Sequence, residues 1–174
     1  AIGDKCDMKG NPIAILPSLT TFPALRFKDQ KDLLGLGIAL LVSVIYLPTV
    51  HFDFIDYDDP FYLYKNPHVR NGLSFHAAYW ALTTLHGDLA YWHPLTWLSH
   101  QLDFQLFGVN PGAHHVTNLL LHAANTSLVF LIATRMTAKI LAGLVVALLF
   151  GLHPLRIESV AWLSERKDML CGLF

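Results

Sequence analysis

Hydrophobic and polar positions along this chain fall into long apolar runs separated by polar, aromatic-rich segments. Residues 33–50 are the first run, bounded by a basic flank (Arg26, Lys28, Lys31) and by the acidic stretch FDFIDYDDP at 52–60. A membrane helix needs about 20 apolar residues, with a lower limit near 17, so this run predicts a short span. Gly35, Gly37 and Ser43 are small residues that let helices approach, and Tyr46 and Pro48 suit an end at headgroup level. Residues 114–134 predict a second span, and 140–155 a third closed by His153-Pro154. Another apolar run begins at Met169 and reaches Phe174. In the second span His115, Asn118, His122 and Asn125 follow i, i+3, i+7, i+10 and share one face. Polar groups in lipid face protein or water, so this stripe points into a bundle, where it serves either hydrogen bonds between helices or a ligand. Gly143, Ala147 and Gly151 are the packing positions of the third.

Two segments between the first and second spans have helical periodicity. In 74–85, Ser74 is the N-cap and Phe75, Ala78, Tyr79, Leu82 and Leu85 form an apolar stripe. In Pro94–Phe107, Pro94 fits the first helical position and Gly108 the stop. Leu95, Leu98, Leu102 and Leu106 make its stripe, widened by Trp97 and Phe104. A helix of about 14 residues rises ~21 Å, less than the ~30 Å of hydrocarbon, so these helices are expected to lie in the interface plane, apolar face down.

Composition supports the same class. The chain is 53% hydrophobic and 14% charged, against about 25% charged in soluble domains. The expected fold class is therefore all-α: a polytopic membrane helical bundle with interfacial helices in its first outer loop. The formal net charge of −1 supplies no basic field for nucleic acid, which is excluded as a partner. Cys6 and Cys171 stand at opposite ends and imply neither a disulfide framework nor a metal motif. No helical-repeat period is visible. Residues 1–32 read as a polar leader without a signal-peptide pattern. Ala1 at the start and the apolar run at the end predict a piece of a longer protein, cut inside a further span. Positive charge is concentrated before residue 33 and at Arg135 and Lys139, whereas 51–113 carries only Lys65 and Arg70. This asymmetry predicts a cytoplasmic leader, with 51–113 and 156–168 both outside the cytoplasm.

The acidic stretch holds Asp53, Asp56, Asp58 and Asp59 just beyond the first span. Two readings stand side by side. One is a solvated loop that helps topology. The other is a general base, or an anchor for a cation or polar ligand, at the membrane boundary.

The loops read FDFIDYDDPFYLYKNPHV, then WHPLTWLSHQLDFQLFGVNPGAHHVTNLLLHAANT, then FGLHPLRIESVAWLSERKDML. In this order around the spans they resemble the membrane half of the transmembrane and tetratricopeptide-repeat O-mannosyltransferase-like proteins, bacterial-type members in particular. That group belongs to the GT-C class of glycosyltransferases. The resemblance implies an enzyme that moves a sugar, mannose for instance, from a polyprenyl-phosphate donor to a protein or other hydroxyl acceptor outside the cytoplasm. The fragment alone is expected to be inactive. The implied location is a bilayer, crossed several times: a bacterial inner membrane, or the endoplasmic reticulum membrane in a eukaryote. By the same resemblance Asp58 and Asp59 are the catalytic positions, with Asp56 beside them. The second outer loop matches at Glu158, Arg166 and Asp168, next to His153. Transfer from a lipid phosphate needs a base for the acceptor proton and positive charge for the leaving phosphate. Carboxylates supply the first, and Arg156, Arg166 and Lys167 the second, since a guanidinium fork matches phosphate oxygens. Without bound ligand these basic residues are juxtamembrane partners of Glu158, Glu165 or Asp168. The resemblance makes no cofactor certain and leaves use of a divalent metal ion open.

The histidines give no metal site by spacing. His93, His100 and Asp103 follow i, i+7, i+10, and two turns separate them by about 10 Å, too far for one ion on one helix. HPLTWLSH, with His93, reads instead as the rim of the donor site. Two rival functions remain at this stage: a non-enzymatic anchor presenting a downstream repeat domain, and a histidine-ligated haem or metal membrane protein.

Overall fold

A computed structural model describes residues 27–84 and 92–174 of the chain. The leader residues 1–26, with Cys6 and Arg26, and Leu85 of the first loop stripe lie outside the described residues. Every described element is helical. α1 (Phe27–Tyr46) runs into a 3₁₀ turn (Leu47–His51), and one π-helical turn follows (Pro60–Tyr64). Then come α2 (Pro67–Arg70), α3 (Phe75–Thr83), α4 (Pro94–Phe107), α5 (Pro111–Thr137) and α6 (Ile140–Leu152). The chain closes with α7 (Arg156–Ala161), a 3₁₀ turn (Leu163–Glu165) and α8 (Arg166–Leu173).

Among the described residues, two helical stretches are long and apolar enough to cross a membrane. Gln30–His51 has 22 residues, with an 18-residue window of mean hydropathy 2.3, and Pro111–Thr137 has 27 residues, with a window of 1.5. α6 is apolar but has 13 residues, a rise of about 20 Å. α5 starts three residues earlier than its apolar run because Asn110-Pro111 supplies a start: Asn110 Oδ1 accepts from Ala113 N at 3.3 Å. Ser74 caps α3 the same way, accepting from Ala77 N at 3.1 Å. α4 has its expected bounds, and Gly108 stops it with φ +62°, a value only glycine adopts cheaply.

The long helices pack through small residues. The buried positions of α6 are Gly143, Ala147 and Gly151. A Cβ at Gly143 would collide with Thr134 Oγ1, and one at Gly151 would meet Thr126 Cγ2 at 2.6 Å, so α5 and α6 touch almost backbone to backbone. Gly35 lies against Phe130, while Gly37 faces open space. The polar stripe of α5 is buried and is used between helices. Asn118 Nδ2 donates to Val160 O at 3.3 Å and Asn125 Nδ2 to Met169 O at 2.7 Å. His122 Nε2–H donates to Gly151 O at 2.9 Å, because a carbonyl can only accept.

Two apolar cores result. One joins Ile38, Val42, Tyr46, Leu119, Phe130 and Ala147 of the long helices to Val160 and Met169. The other joins Tyr62, Leu63, Val69, Ala81, Trp97 and Phe104 of the first loop to Leu163. Its centre is a stacked Tyr62–Trp97 pair, ring centroids 4.7 Å apart. Segment 156–169 therefore contributes to both cores. α4 turns its leucines outward and buries its polar groups together with Trp97 and Phe104, which lie off the leucine stripe they were expected to widen. Leu95, Leu102 and Leu106 are exposed, while Thr96, His100, Gln101 and Asp103 are buried. α3 likewise exposes Phe75, Tyr79 and Leu82.

Candidate functional site

The acidic stretch docks onto the second loop through one carboxylate. Asp59 has no exposed surface. Its Oδ1 accepts from Ser164 N at 3.1 Å and from the Ser164 hydroxyl, and its Oδ2 accepts from Ile55 N at 2.8 Å. Burial holds the Asp59 carboxyl above its ordinary pKa, against the pull of those three donors. Asp58 is half-buried, whereas Asp53 and Asp56 are exposed; Asp56 Oδ1 accepts from the Tyr64 hydroxyl at 3.4 Å. Tyr57 packs against Trp162, centroids 5.9 Å apart, as a second contact between the two loops.

The second loop and the end of α6 also form a polar pocket of about 460 Å³. His153, Arg156, Glu158, Ser159, Glu165 and Asp168 line it together with Leu149, Phe150 and Leu155. The Arg156 guanidinium sits over the Phe150 ring, 4.3 Å from its centroid. Asp168 Oδ2 accepts from Ser159 Oγ at 3.3 Å, and His153 Nδ1 accepts from Leu155 N at 3.2 Å. Leu149 and His153 also line an apolar groove of about 380 Å³, with Val145, Leu148, Leu152 and Pro154. The polar pocket and the apolar groove along α6 share Leu149 and His153 in their linings.

Arg166 is placed differently. It is fully buried, and its guanidinium meets Asp103 Oδ2 at 2.7 Å, Asn118 Oδ1 at 2.6 Å, His114 O at 3.0 Å and Ser99 Oγ at 3.5 Å. Asp103 also accepts from Thr117 Oγ1 at 3.0 Å. Ligand atoms of His100, Asp103 and His114 come within 4.8 Å of one another, close enough to hold a metal. In this structure the Arg166 guanidinium takes the carboxylate that such a cation would use. Burial, then the charges of Arg166 and His114, keep the His100 imidazole well below its ordinary pKa and so neutral. Lys167 turns away to Glu165 Oε1 at 2.6 Å. His93, partly buried at the start of α4, is pushed below its ordinary pKa by burial and by Lys167.

No family model and no solved structure matches the chain significantly. Named relatives do. Protein O-mannosyl-transferase Tmtc1 of Drosophila melanogaster is 33% identical over 147 residues, 81% of this chain and 17% of that protein. Protein O-mannosyl-transferase TMTC2 of Homo sapiens is 34% identical over 150 residues, 80% of this chain and 17% of that protein. The chain belongs to this protein O-mannosyl-transferase family. It spans 17% of the length of these two relatives.

In this family member the matched loop residues separate into three environments. His153, Arg156, Glu158 and Asp168 share the open pocket. Asp59 is enclosed at the loop junction, with Asp58 beside it at the surface. Arg166 is enclosed by α4 and α5. Sequence reading missed Ser164, Ser99, Asn118 and His114 as partners of these groups. A spacing rule along one helix paired His93 with His100 and Asp103; the chain instead brings His114 across from α5. The polarity of Asp103 on α4 and of Asn118 in the α5 stripe was the visible signal.

Proposed function

We propose that this chain forms part of the site of a GT-C-type membrane glycosyltransferase acting outside the cytoplasm, as one portion of a multi-pass protein. The donor is a polyprenyl-phosphate sugar, mannose in the leading case, and the acceptor a protein or glycan hydroxyl. The observation that carries this reading is that the polar pocket at Arg156 and the apolar groove along α6 share Leu149 and His153. A lipid phosphate has the same two parts in the same order. The isoprenoid chain lies against Leu148, Leu149 and Leu152, and the phosphate meets Arg156 with His153 at the boundary. The exposed leucine and aromatic faces of α3 and α4 rest on the bilayer surface, as an amphipathic helix in the interface does. Location in a bacterial inner membrane or an endoplasmic reticulum membrane follows from the same reading.

In the transfer step the half-buried Asp58 removes the acceptor hydroxyl proton. The hydroxyl oxygen bonds to the anomeric carbon as the bond from that carbon to the phosphate oxygen breaks, and the lipid phosphate leaves with the electron pair. Arg156 steadies the charge on that phosphate. Asp59, with both oxygens committed, orients its neighbour. Glu158 and Asp168 are left for the sugar hydroxyls. A divalent ion at these carboxylates would add electrostatic stabilisation.

The test is donor titration of the full-length enzyme carrying Arg156→Ala. Phosphate contact exists in the ground state, so the apparent donor KM rises about tenfold, the equivalent of ~1.4 kcal/mol. An unchanged donor KM removes Arg156 from the phosphate. Absence of any transfer by the intact protein from lipid-linked sugars leaves the anchor reading in its place.

A further inference from the structure

We propose that Arg166 and Asp103 are a positioning pair, which sets the Asp58–Asp59 stretch from behind by fixing the turn that carries Ser164. This assignment rests on the reading of Asp58 and Asp59 as the reacting end. It does not place Arg166 on the donor.

The geometry points away from a phosphate contact. Arg166 has five N–H donors. Nε goes to Asn118, Nη1 to Asp103 and Ser99, and Nη2 to His114 O, and the side chain has no exposed surface. A ligand would have to dismantle this cage to reach it. The cage itself joins α4, through Ser99 and Asp103, to α5, through His114 and Asn118. Arg166 is the first residue of α8, and Ser164 lies two positions earlier. Ser164 gives both its N–H and its hydroxyl to Asp59, across 105 positions of sequence. Leu163, next to Ser164, is fully buried in the first-loop core. The chain of contacts therefore runs from α4 and α5 through Arg166 to Ser164, Asp59 and Ile55.

A buried ion pair is weak evidence for stability alone, because removing two charges from water offsets much of their attraction. What a forked guanidinium held on all three nitrogens adds is a fixed angle. Displacing a reacting group by about 1 Å can cost roughly 100-fold in rate.

The experiment uses the full-length enzyme with Arg166→Lys, Asp103→Asn and, separately, Ser164→Ala. Hydrogen exchange of peptides covering 53–64 and kinetics with varied donor are measured on each. Arg166→Lys keeps the charge but cannot reach Asp103, Asn118 and His114 O together. Faster exchange at 53–64 and kcat lowered about 100-fold, with donor KM held within about twofold, support the pair. Ser164→Ala leaves the ion pair intact and should show the same two changes, which keeps the test informative if the charge variants fold poorly. Unchanged exchange at 53–64 overturns the mechanical link. A raised donor KM with kcat intact overturns it in favour of a phosphate contact. Faster exchange with kcat intact also overturns the positioning role, and then identifies the reading of Asp58 and Asp59 as the part that failed.

Discussion

The polar pocket at Arg156 and the enclosed cluster at Arg166 are built by one short segment, and they differ in access to water. Arg156 is half-buried against a ring and lines a pocket with carboxylates beside an apolar groove. Arg166, ten positions on, has every polar contact supplied by α4 and α5. The same residue type in the same loop is thus free for a ligand in one place and consumed by the fold in the other. Residue identity and loop membership do not separate these roles; burial and partner count do.

Breaking the enclosed cluster should have the largest effect. Asp103→Ala leaves a buried guanidinium without its carboxylate and is expected to lower stability by about 3–5 kcal/mol. Thermal unfolding of purified protein reads this. A loss below about 1 kcal/mol would mean that Arg166 reaches water and that the two arginines are alike. Next comes the acidic pair, where the same contrast between open and enclosed recurs. Asp58→Asn should reduce transfer roughly 10²–10⁴-fold with the melting temperature unchanged. Asp59→Asn should lower the melting temperature as well, since an amide cannot accept from both Ser164 and Ile55 as the carboxylate does. Equal melting temperatures for the two variants would contradict the division between them.

The contrast can be sharpened by pH. His100 is buried neutral beside Arg166, His114 and Asp103, with its pKa well below the ordinary value of about 6.5. Between those two values the unfolded chain binds a proton that the folded chain refuses. The contribution of His100 is therefore full above about pH 6.5 and is lost as pH falls, by at most ~1.4 kcal/mol per pH unit. Asp59, held above its ordinary range, acts with the opposite sign. The difference between the protein and its His100→Gln variant isolates the imidazole. An identical pH dependence in the two would show that His100 is not excluded from water.

Much of the helical frame was legible because periodicity and caps are local. Pro94 and Gly108 fixed both ends of α4, Ser74 started α3, and the three small residues of α6 are its buried face. The α5 stripe pointed inward for the reason given by its polarity, and its partners are backbone carbonyls. Ends were less legible: Asn110-Pro111 begins α5 before the apolar run does, and the second loop is itself helical from Arg156. The site divided along the same line. His153, Arg156, Glu158 and Asp168 are near one another in sequence and share a pocket. The links Asp59–Ser164 and Asp103–Arg166 span 105 and 63 positions, and no spacing rule reaches across such distances. The π-helical turn after Asp59 has no signature in a single sequence beyond its proline.

The division between the two arginines can be read without knowing the sugar or the acceptor. Folded protein is treated with an arginine-specific dicarbonyl reagent, with and without an added polyprenyl phosphate, and modified residues are located by mass spectrometry. Arg156 should react and should be protected by the lipid phosphate, while Arg166 should stay unmodified until the protein is unfolded. Modification of Arg166 in the folded protein at a rate like that of Arg156, suppressed by the same lipid phosphate, would contradict the account.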